Sequence, residues 1–545
     1  MAKKKSAFSK LPVRQSTHQR PFLERMSNAS MALQSGRFAM AEALLKEAVA
    51  LQPQDAEAWM LLGIACLQQG ASDRGVIALA QSLKINPLQA ETRYNHAYGL
   101  AQAGRLAEAA ESYELAIKLS PKDPEVRMAQ AKVLVDLKCY TEAQTAFSRA
   151  LELAPNNPDG WNNLGNALFE LHQEEEALAA FGKALSLRPA FPDAYFNRGK
   201  ALSTLDRYAD ALASYDQALA LRPGYPEARW HQSWIQLLLG NFKAGWSLFE
   251  ARWEVAEFAD QRRNFTSKLW LGQAALDGSH ILLYAEQGLG DTLQFVRYVP
   301  QLLSMGAKIT LEVQPLLVNL LKDQWPGVQV LPKGAVLPVS QWHCPLMSLP
   351  FALGTTLETV PHNVPYLHCS PDWVPLEVKH PKVKHPKVKR PLVGLVWSGN
   401  PGHKNDHNRS LALATLAPLL ACDADFVTLQ PELRAEDTVW LEAHPQVSLQ
   451  QVALSDFTQT AALIEQLDWV ITVDTSVAHL AGALGKPFWL LLPIGPDYRW
   501  LLEREDSPWY PTARLFRQKA RGTWPEVIER VVAATQDTIT KSQFV

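Results

Sequence analysis

Six prolines, Pro53, Pro87, Pro121, Pro155, Pro189 and Pro223, follow one another at an interval of 34 residues. A fixed interval of this length marks a repeat array, in which each supersecondary unit buries its apolar face only against its neighbours. The same slots recur within each interval. A large aromatic opens the first helix at Trp59, Trp161 and Tyr195, and a pair ending in glycine follows at Leu62-Gly63, Leu164-Gly165 and Arg198-Gly199. A small residue there lets two backbones approach closely. The second helix repeats alanine, aromatic, alanine: Ala109, Tyr113, Ala116; Ala143, Phe147, Ala150; Ala177, Phe181, Ala184; Ala211, Tyr215, Ala218. Offsets of four and three place them on one helical face, which is core. Each proline then ends its helix, because it lacks an N–H and its ring clashes with the preceding turn.

This pattern resembles the tetratricopeptide repeat (TPR), with an array over 21–255 made of six repeats and a degenerate seventh from about Pro226 to Trp253, where Gly240, Trp246 and Phe249 fill the expected slots. The resemblance implies an α-solenoid whose concave groove takes a peptide or partner protein. Asn162, Asn163, Asn166, Asn197 and Lys200 are either groove contacts or plain solvated surface. Residues 1–20 form a basic tail; Lys3-Lys4-Lys5 is followed by no apolar stretch before Arg14, so the tail is read as solvated and disordered, not as a signal peptide.

Beyond a polar connector (256–277) the pattern changes to α/β, in two lobes at 278–375 and 392–545. His280–Tyr284 reads as a strand that empties into Ala285-Glu286-Gln287-Gly288-Leu289-Gly290-Asp291, followed by a helix from Thr292 through Leu303. Gly288 and Gly290 flank a strand-to-helix turn in which Asp291 either caps the helix or faces a ligand. Residues 376–391, holding the near-duplicate Val-Lys-His-Pro-Lys, read as an extended linker. The second lobe starts at Leu392–Trp397, and its first strand delivers a donor-rich loop, Ser398 to Ser410. Lys404 and Arg409 in that loop suit a pyrophosphate; His403, Asp406 and His407 are a weaker metal alternative. Gln430 ends the next strand, Phe426–Gln430.

The most telling stretch is Asp468 to Leu492. Val470–Val473 is an apolar run suited to a parallel strand, Asp474, Thr475 and Ser476 are N-cap residues, small and apolar residues run at helical spacing to Leu484, and Gly485 stands where a C-cap glycine belongs. The unit is a βαβ crossover, which sets the helix N-terminus at the carboxyl edge of a sheet, where phosphates bind. Asp474 and Thr475 either cap the helix or reach a ribose, phosphate or transferred group, and His479 sits one turn in.

The formal charge of -2 and the lack of a long basic face argue against nucleic-acid binding. Five scattered cysteines form neither a metal knuckle nor a disulfide framework, which fits a reducing compartment. No run of about 18 uninterrupted apolar residues occurs, so no transmembrane helix and a cytoplasmic location are expected.

Gly288-Leu289-Gly290-Asp291, Trp397-Ser398-Gly399-Asn400 and Asp474-Thr475-Ser476-Val477-Ala478-His479-Leu480-Ala481-Gly482-Ala483-Leu484-Gly485-Lys486-Pro487 resemble glycosyltransferase family 9, the heptosyltransferases, over about 278–533. The resemblance implies a GT-B fold, a pair of Rossmann-type lobes with the acceptor on the first and the nucleotide-sugar donor on the second. It implies inverting, metal-independent transfer of a sugar to a protein or glycan acceptor. Asp291 would be the general base and Lys404 would stabilise the leaving diphosphate. Asp474 would orient the donor sugar, the N–H groups of Thr475, Ser476 and Val477 would hold the phosphates, and Gln430 would face the nucleotide. Arg409 and His479 complete the expected donor side. The chain departs from the family at His403-Lys404-Asn405-Asp406, in place of a tighter Arg-Asp-Lys cluster, and at Ser476, in place of glycine. No metal and no cofactor are expected, the nucleotide-diphosphate sugar being a substrate. Trp500 and Trp509, among arginines that include Arg499, either stack on a sugar or seal the second lobe. Two other functions remain open: an inactive transferase domain carried by a protein-binding scaffold, and a nucleotide-sugar hydrolase or epimerase that turns over without acceptor.

Overall fold

The computed structural model describes residues 19–370, 373, 390–403, 405–452 and 454–543. The basic tail up to His18, the linker up to Lys389 and Lys404 lie outside the described residues. The chain divides into two compact units, Met1–Gly224 and Tyr225–Val545.

In the first unit twelve helices, from Gln19–Gln34 to Tyr208–Leu221, form successive hairpins. The alanine and aromatic slots are its core: Ala143, Phe147, Ala150, Ala177 and Phe181 are at most 1% exposed. The glycine slots are filled by the facing helix. A Cβ on Gly165 would lie 2.5 Å from Phe181, and one on Gly199 would lie 2.5 Å from Tyr215. Helices end two residues before the periodic prolines, at Leu51, Ile85, Leu119, Leu153, Leu187 and Leu221. Of the polar slots, Asn162 is buried and accepts a hydrogen bond from Asn197 Nδ2 at 3.1 Å, so it ties one repeat to the next.

The turn inside each hairpin carries a left-handed residue that also keeps the period: Gly36, Gly70, Gly104, Lys138, His172, Asp206 and Gly240, with φ between 57° and 80°. A side chain in that region costs about 1–2 kcal/mol, and glycine returns part of this through its freer unfolded chain. Lys138→Gly is therefore expected to stabilise the first unit by about 0.5–1 kcal/mol, read as a higher urea midpoint with an unchanged slope.

The seventh helical pair, Pro226–Leu238 and Phe242–Phe249, closes the array in the sequence but clusters with the second unit. Its aromatic face explains this. Trp246 meets Phe295 edge-on at 6.0 Å and Tyr498 at 5.7 Å, and Phe242 stacks on Trp509 at 5.8 Å. The pair is thereby built into both lobes.

Each lobe holds one parallel sheet. The first contains β1 (Lys268–Leu269), β2 (His280–Tyr284), β3 (Lys308–Val313), β4 (Gln329–Pro332) and β5 (Trp342–Pro345), in the order β1-β5-β2-β3-β4. β1 lies in what the sequence presented as the polar connector. The second contains β6 (Leu392–Val396), β7 (Asp425–Thr428), β8 (Leu449–Gln451), β9 (Trp469–Val473), β10 (Phe488–Leu492) and β11 (Ala513–Arg517), in the order β11-β10-β9-β6-β7-β8. This is the doubly wound Rossmann order, whose direction reverses between β6 and β9, and such sheets bind ligands outside the carboxyl ends of the strands that flank the reversal. In the first sheet the direction reverses between β2 and β5. Those strand ends deliver Gly288–Asp291, Ser398 and Asp474. The helix expected from Thr292 through Leu303 is instead split: Leu289–Phe295, a 3-10 turn Val296–Tyr298, and Val299–Ser304. Pro300 forces the break, since it cannot donate within a continuous helix. Among the described residues no helix is long and apolar enough to cross a membrane.

Candidate active site

Two helices begin at the carboxyl ends of their strands and meet: Leu289–Phe295 after β2 and Ser476–Ala483 after β9. Gly290 makes the approach possible. A Cβ there would lie 2.8 Å from His479 Cδ2 and 3.6 Å from Ser476 Cα. Gly288 has no such role; its φ of -72° suits any residue, and its N–H is taken by Asp291 Oδ2 at 2.8 Å. Gly290→Ala is expected to push the two helices apart, costing about 1–3 kcal/mol of stability and most of any activity. Gly288→Ala, whose Cβ would lie 3.1 Å from Asp291 Oδ2, should cost less stability because that neighbour is a side chain that can shift, and thermal unfolding of the two variants side by side checks the contrast.

The first-turn N–H groups of Ser476 and Val477 precede the first intrahelical bond, from Ala478 N to Thr475 O. They carry the positive end of the helix dipole and suit an anion. Thr475 spends its hydroxyl on Thr472, 3.3 Å away, and not on capping. Asp474 is partly buried at the head of this helix, its backbone carbonyl held by Arg409 Nη1 at 2.8 Å. Burial, and then the neighbouring Asp497, push its carboxyl up to about 7 against the pull of Arg499.

Asp291 faces the same place. Its Oδ1 accepts from Arg499 Nη2, whose guanidinium also donates to Asp497 Oδ1 at 2.9 Å through Nη1 and to Gln294 Oε1 through Nε. Burial raises the Asp291 carboxyl, and Arg499 opposes the rise. The structure thus gathers Asp291, Asp474, Asp497, Arg499 and Arg409 around two helix N-termini. The sequence pattern had missed Asp497 and left Arg499 as one of several arginines. The available signal was position: Pro493 to Asp497 leave β10 at the same carboxyl edge as Asp474.

The loop after β6 is braced by its own neighbours. Gln430 does not face a nucleotide; it is buried, its Oε1 accepts from the N–H groups of Trp397 (2.8 Å) and Ser398 (3.1 Å), and its Nε2 donates to Ser398 Oγ at 2.9 Å. Arg434 and Ser410 both donate to Asp406. Among the described residues no group of three His, Cys, Asp or Glu side chains could hold a metal ion.

Burial decides the roles of His479, Trp500 and Trp509. His479 shares a hydrogen bond between Nδ1 and the Tyr510 hydroxyl at 2.8 Å, stacks on Trp500 at 5.6 Å, and is held far below its ordinary value by burial, so it is a neutral packing residue beneath Gly290. Trp500 and Trp509 are 0% exposed, with Trp500 against His479 and Trp509 against Phe242 and Trp246. Neither offers a face to a sugar.

Behind the Gly288 turn lies a buried ion network. Arg252, from the end of the seventh helical pair, donates to Glu286 at 2.9 Å, to Glu250 at 2.7 Å and to Ser348 at 2.7 Å. Burial pushes Glu286 up to about 7 despite Arg252. A carboxyl whose folded value is raised contributes stability below its unfolded value and loses it as pH rises through the folded one. Glu286→Gln removes this loss. Relative to the parent, the variant should therefore gain stability between about pH 5 and pH 8, a difference measured by urea unfolding at both values.

Family models match segments in both halves of the chain. The family description Tetratricopeptide repeat matches residues 28–90, 73–124, 100–164 and 192–225, and TPR repeat matches 165–206. Glycosyltransferase family 9 (heptosyltransferase) matches residues 448–490, which hold β9, Asp474 and the Ser476 helix but not the turns at Gly288 and Trp397. The match is narrower than the 278–533 expected from the motifs. A curated relative, Protein FlbA of Caulobacter vibrioides, is 27% identical over 328 residues, covering 56% of this chain and 54% of its own. The chain thus spans about half the length of the curated relative it matches. Similar solved structures include YrrB, described as a TPR protein with an unusual peptide-binding site (21% identity, 34% of this chain and 95% of that one, TM-score 0.32). A tetratricopeptide repeat protein from Parabacteroides merdae shows 16% identity, 44% and 94% coverage and a TM-score of 0.37. The chain is a TPR solenoid followed by parallel α/β sheets, and residues 448–490 of the second sheet's lobe are similar to glycosyltransferase family 9.

Proposed function

We propose that the second unit is a glycosyltransferase that moves a sugar from a nucleotide-diphosphate donor to a hydroxyl of a protein or glycan acceptor, and that the repeat array engages that acceptor. The observation that carries this reading is the convergence of Asp291 and the N-terminus of the Ser476 helix at the carboxyl ends of two parallel sheets. Asp291 takes the proton of the acceptor hydroxyl as its oxygen bonds to the anomeric carbon. The bond from that carbon to the diphosphate oxygen breaks, and its electron pair leaves with the diphosphate. The N–H groups of Ser476 and Val477 and the dipole behind them stabilise that charge, Asp474 orients the sugar, and Arg409 fixes Asp474. Thr475 contributes its N–H, and Lys404 a further cation to the diphosphate. The reaction inverts the anomeric centre, and the nucleotide-diphosphate sugar enters as a substrate, with no cofactor.

The test is incubation of the full chain with radiolabelled nucleotide sugars, with and without a bacterial extract as acceptor. Label that appears in protein or glycan only with the extract supports transfer. Free sugar released at the same rate without acceptor supports a hydrolase instead. One observation favours a second reading: Arg499 already occupies the Asp291 carboxylate, as expected of a scaffold whose transferase unit has fallen silent, and label in neither fraction would support it.

A further inference from the structure

The candidate base is not free. Asp291 Oδ1 is held by Arg499 Nη2 from the other lobe, and the Arg499 side chain is only 8% exposed. Arg499 is itself fixed on an independent wall. Its guanidinium lies 4.4 Å from the centre of the Tyr498 ring, and Tyr498 is packed edge-on by Trp234 of the seventh helical pair at 5.1 Å. Asp497 and Gln294 hold two more of its N–H groups. A guanidinium has five N–H donors, so with three engaged two are left. Asp474, Asp291 and Asp497 also make the surroundings of this cation acidic.

The geometry points to Arg499 as a ligand-operated mask: in the free protein it neutralises Asp291, and the diphosphate of an incoming donor competes for its guanidinium and releases Asp291 to act as base. This inference rests on the proposed function and deepens it. It requires no lobe rotation, because the aromatic wall and Asp497 hold Arg499 while one contact is exchanged. It gives the enzyme a reason not to activate an acceptor before a donor is present. A bidentate guanidinium also suits a diphosphate better than a carboxylate already satisfied by a backbone N–H, as Asp291 is by Gly288.

Competition for one cation has a thermodynamic signature. If binding a diphosphate must break the Arg499–Asp291 pair, removing the Asp291 charge lowers the cost of binding. The experiment is calorimetric titration of ADP, GDP, CDP, UDP, dTDP and inorganic pyrophosphate into the full chain and into Asp291→Asn, Arg499→Lys and Arg499→Met. The expected result is that Asp291→Asn binds the preferred diphosphate roughly tenfold more tightly than the parent. Arg499→Lys should bind it more weakly, Arg499→Met more weakly still, and adding Asp291→Asn to Arg499→Met should give no gain. Should Arg499→Met fail to fold, the lysine variant and its combination with Asp291→Asn carry the comparison. Affinity that is unchanged or weaker in Asp291→Asn would overturn the mask while leaving the transferase reading intact. Absence of binding of every one of these probes to the parent would overturn both.

Discussion

Asp291→Asn lowers sugar transfer by about 10²–10⁴-fold, the range over which a positioned general base acts, while the unit stays folded. Asparagine still accepts from the Gly288 N–H, and Arg499 keeps Asp497 and Gln294. What is lost is a group that can take up a proton. Burial raises the Asp291 carboxyl above its ordinary value, which strengthens it as a base once its contact with Arg499 has been exchanged. Glycosyl transfer measured under donor saturation separates this loss from any change in donor affinity, and turnover equal to the parent's would remove Asp291 from the chemistry.

Arg252→Met is expected to have the largest effect on stability, about 3–5 kcal/mol, because it leaves buried carboxylates without their cation. Arg252 and Glu286 have side chains 1% and 0% exposed. The double variant Arg252→Met with Glu286→Gln should recover part of the loss, since the two residues share one interaction. Tryptophan fluorescence during urea unfolding reads the effect directly, because Trp246 and Trp253 flank the network in the chain. A drop below about 1 kcal/mol would mean that water reaches the pair. The same experiment bears on function, because Glu286 opens the turn that carries Gly288 and Asp291.

The repeat array was legible in the sequence because each of its slots answers to one local rule: proline after a helix end, glycine beneath an aromatic ring, alanine at a crossing. β9 and the Ser476 helix were legible for a similar reason, an apolar β-branched run followed by cap residues. β5 was not. Trp342-His343-Cys344-Pro345 lacks β-branched residues and ends in proline, yet it lies between β1 and β2 because the sheet needs a strand there. The site was half visible. Asp291 and Asp474 stand at strand ends, where position alone suggests a role. Gln430 and His479 stand beside them and differ only in which way the side chain turns, and no periodicity reports that. Trp500 and Trp509 stayed between two readings because an aromatic residue near arginines reads alike whether it faces a ligand or fills the core; here the seventh helical pair covers Trp509 and Tyr510 covers His479 beneath Trp500. The Arg499–Asp291 pair joins residues 208 apart in the chain, a distance over which local pattern carries no information.

Both the transfer and the mask require a diphosphate bound where the Ser476 helix begins. Hydrogen–deuterium exchange of the full chain, with and without a saturating nucleoside diphosphate, tests this most directly. The predicted result is slowed exchange in peptides covering 474–478 and 286–292 together, with the protection lost in Asp474→Ala. Tight binding that protects only other segments, or no protection anywhere at millimolar nucleotide, would contradict it.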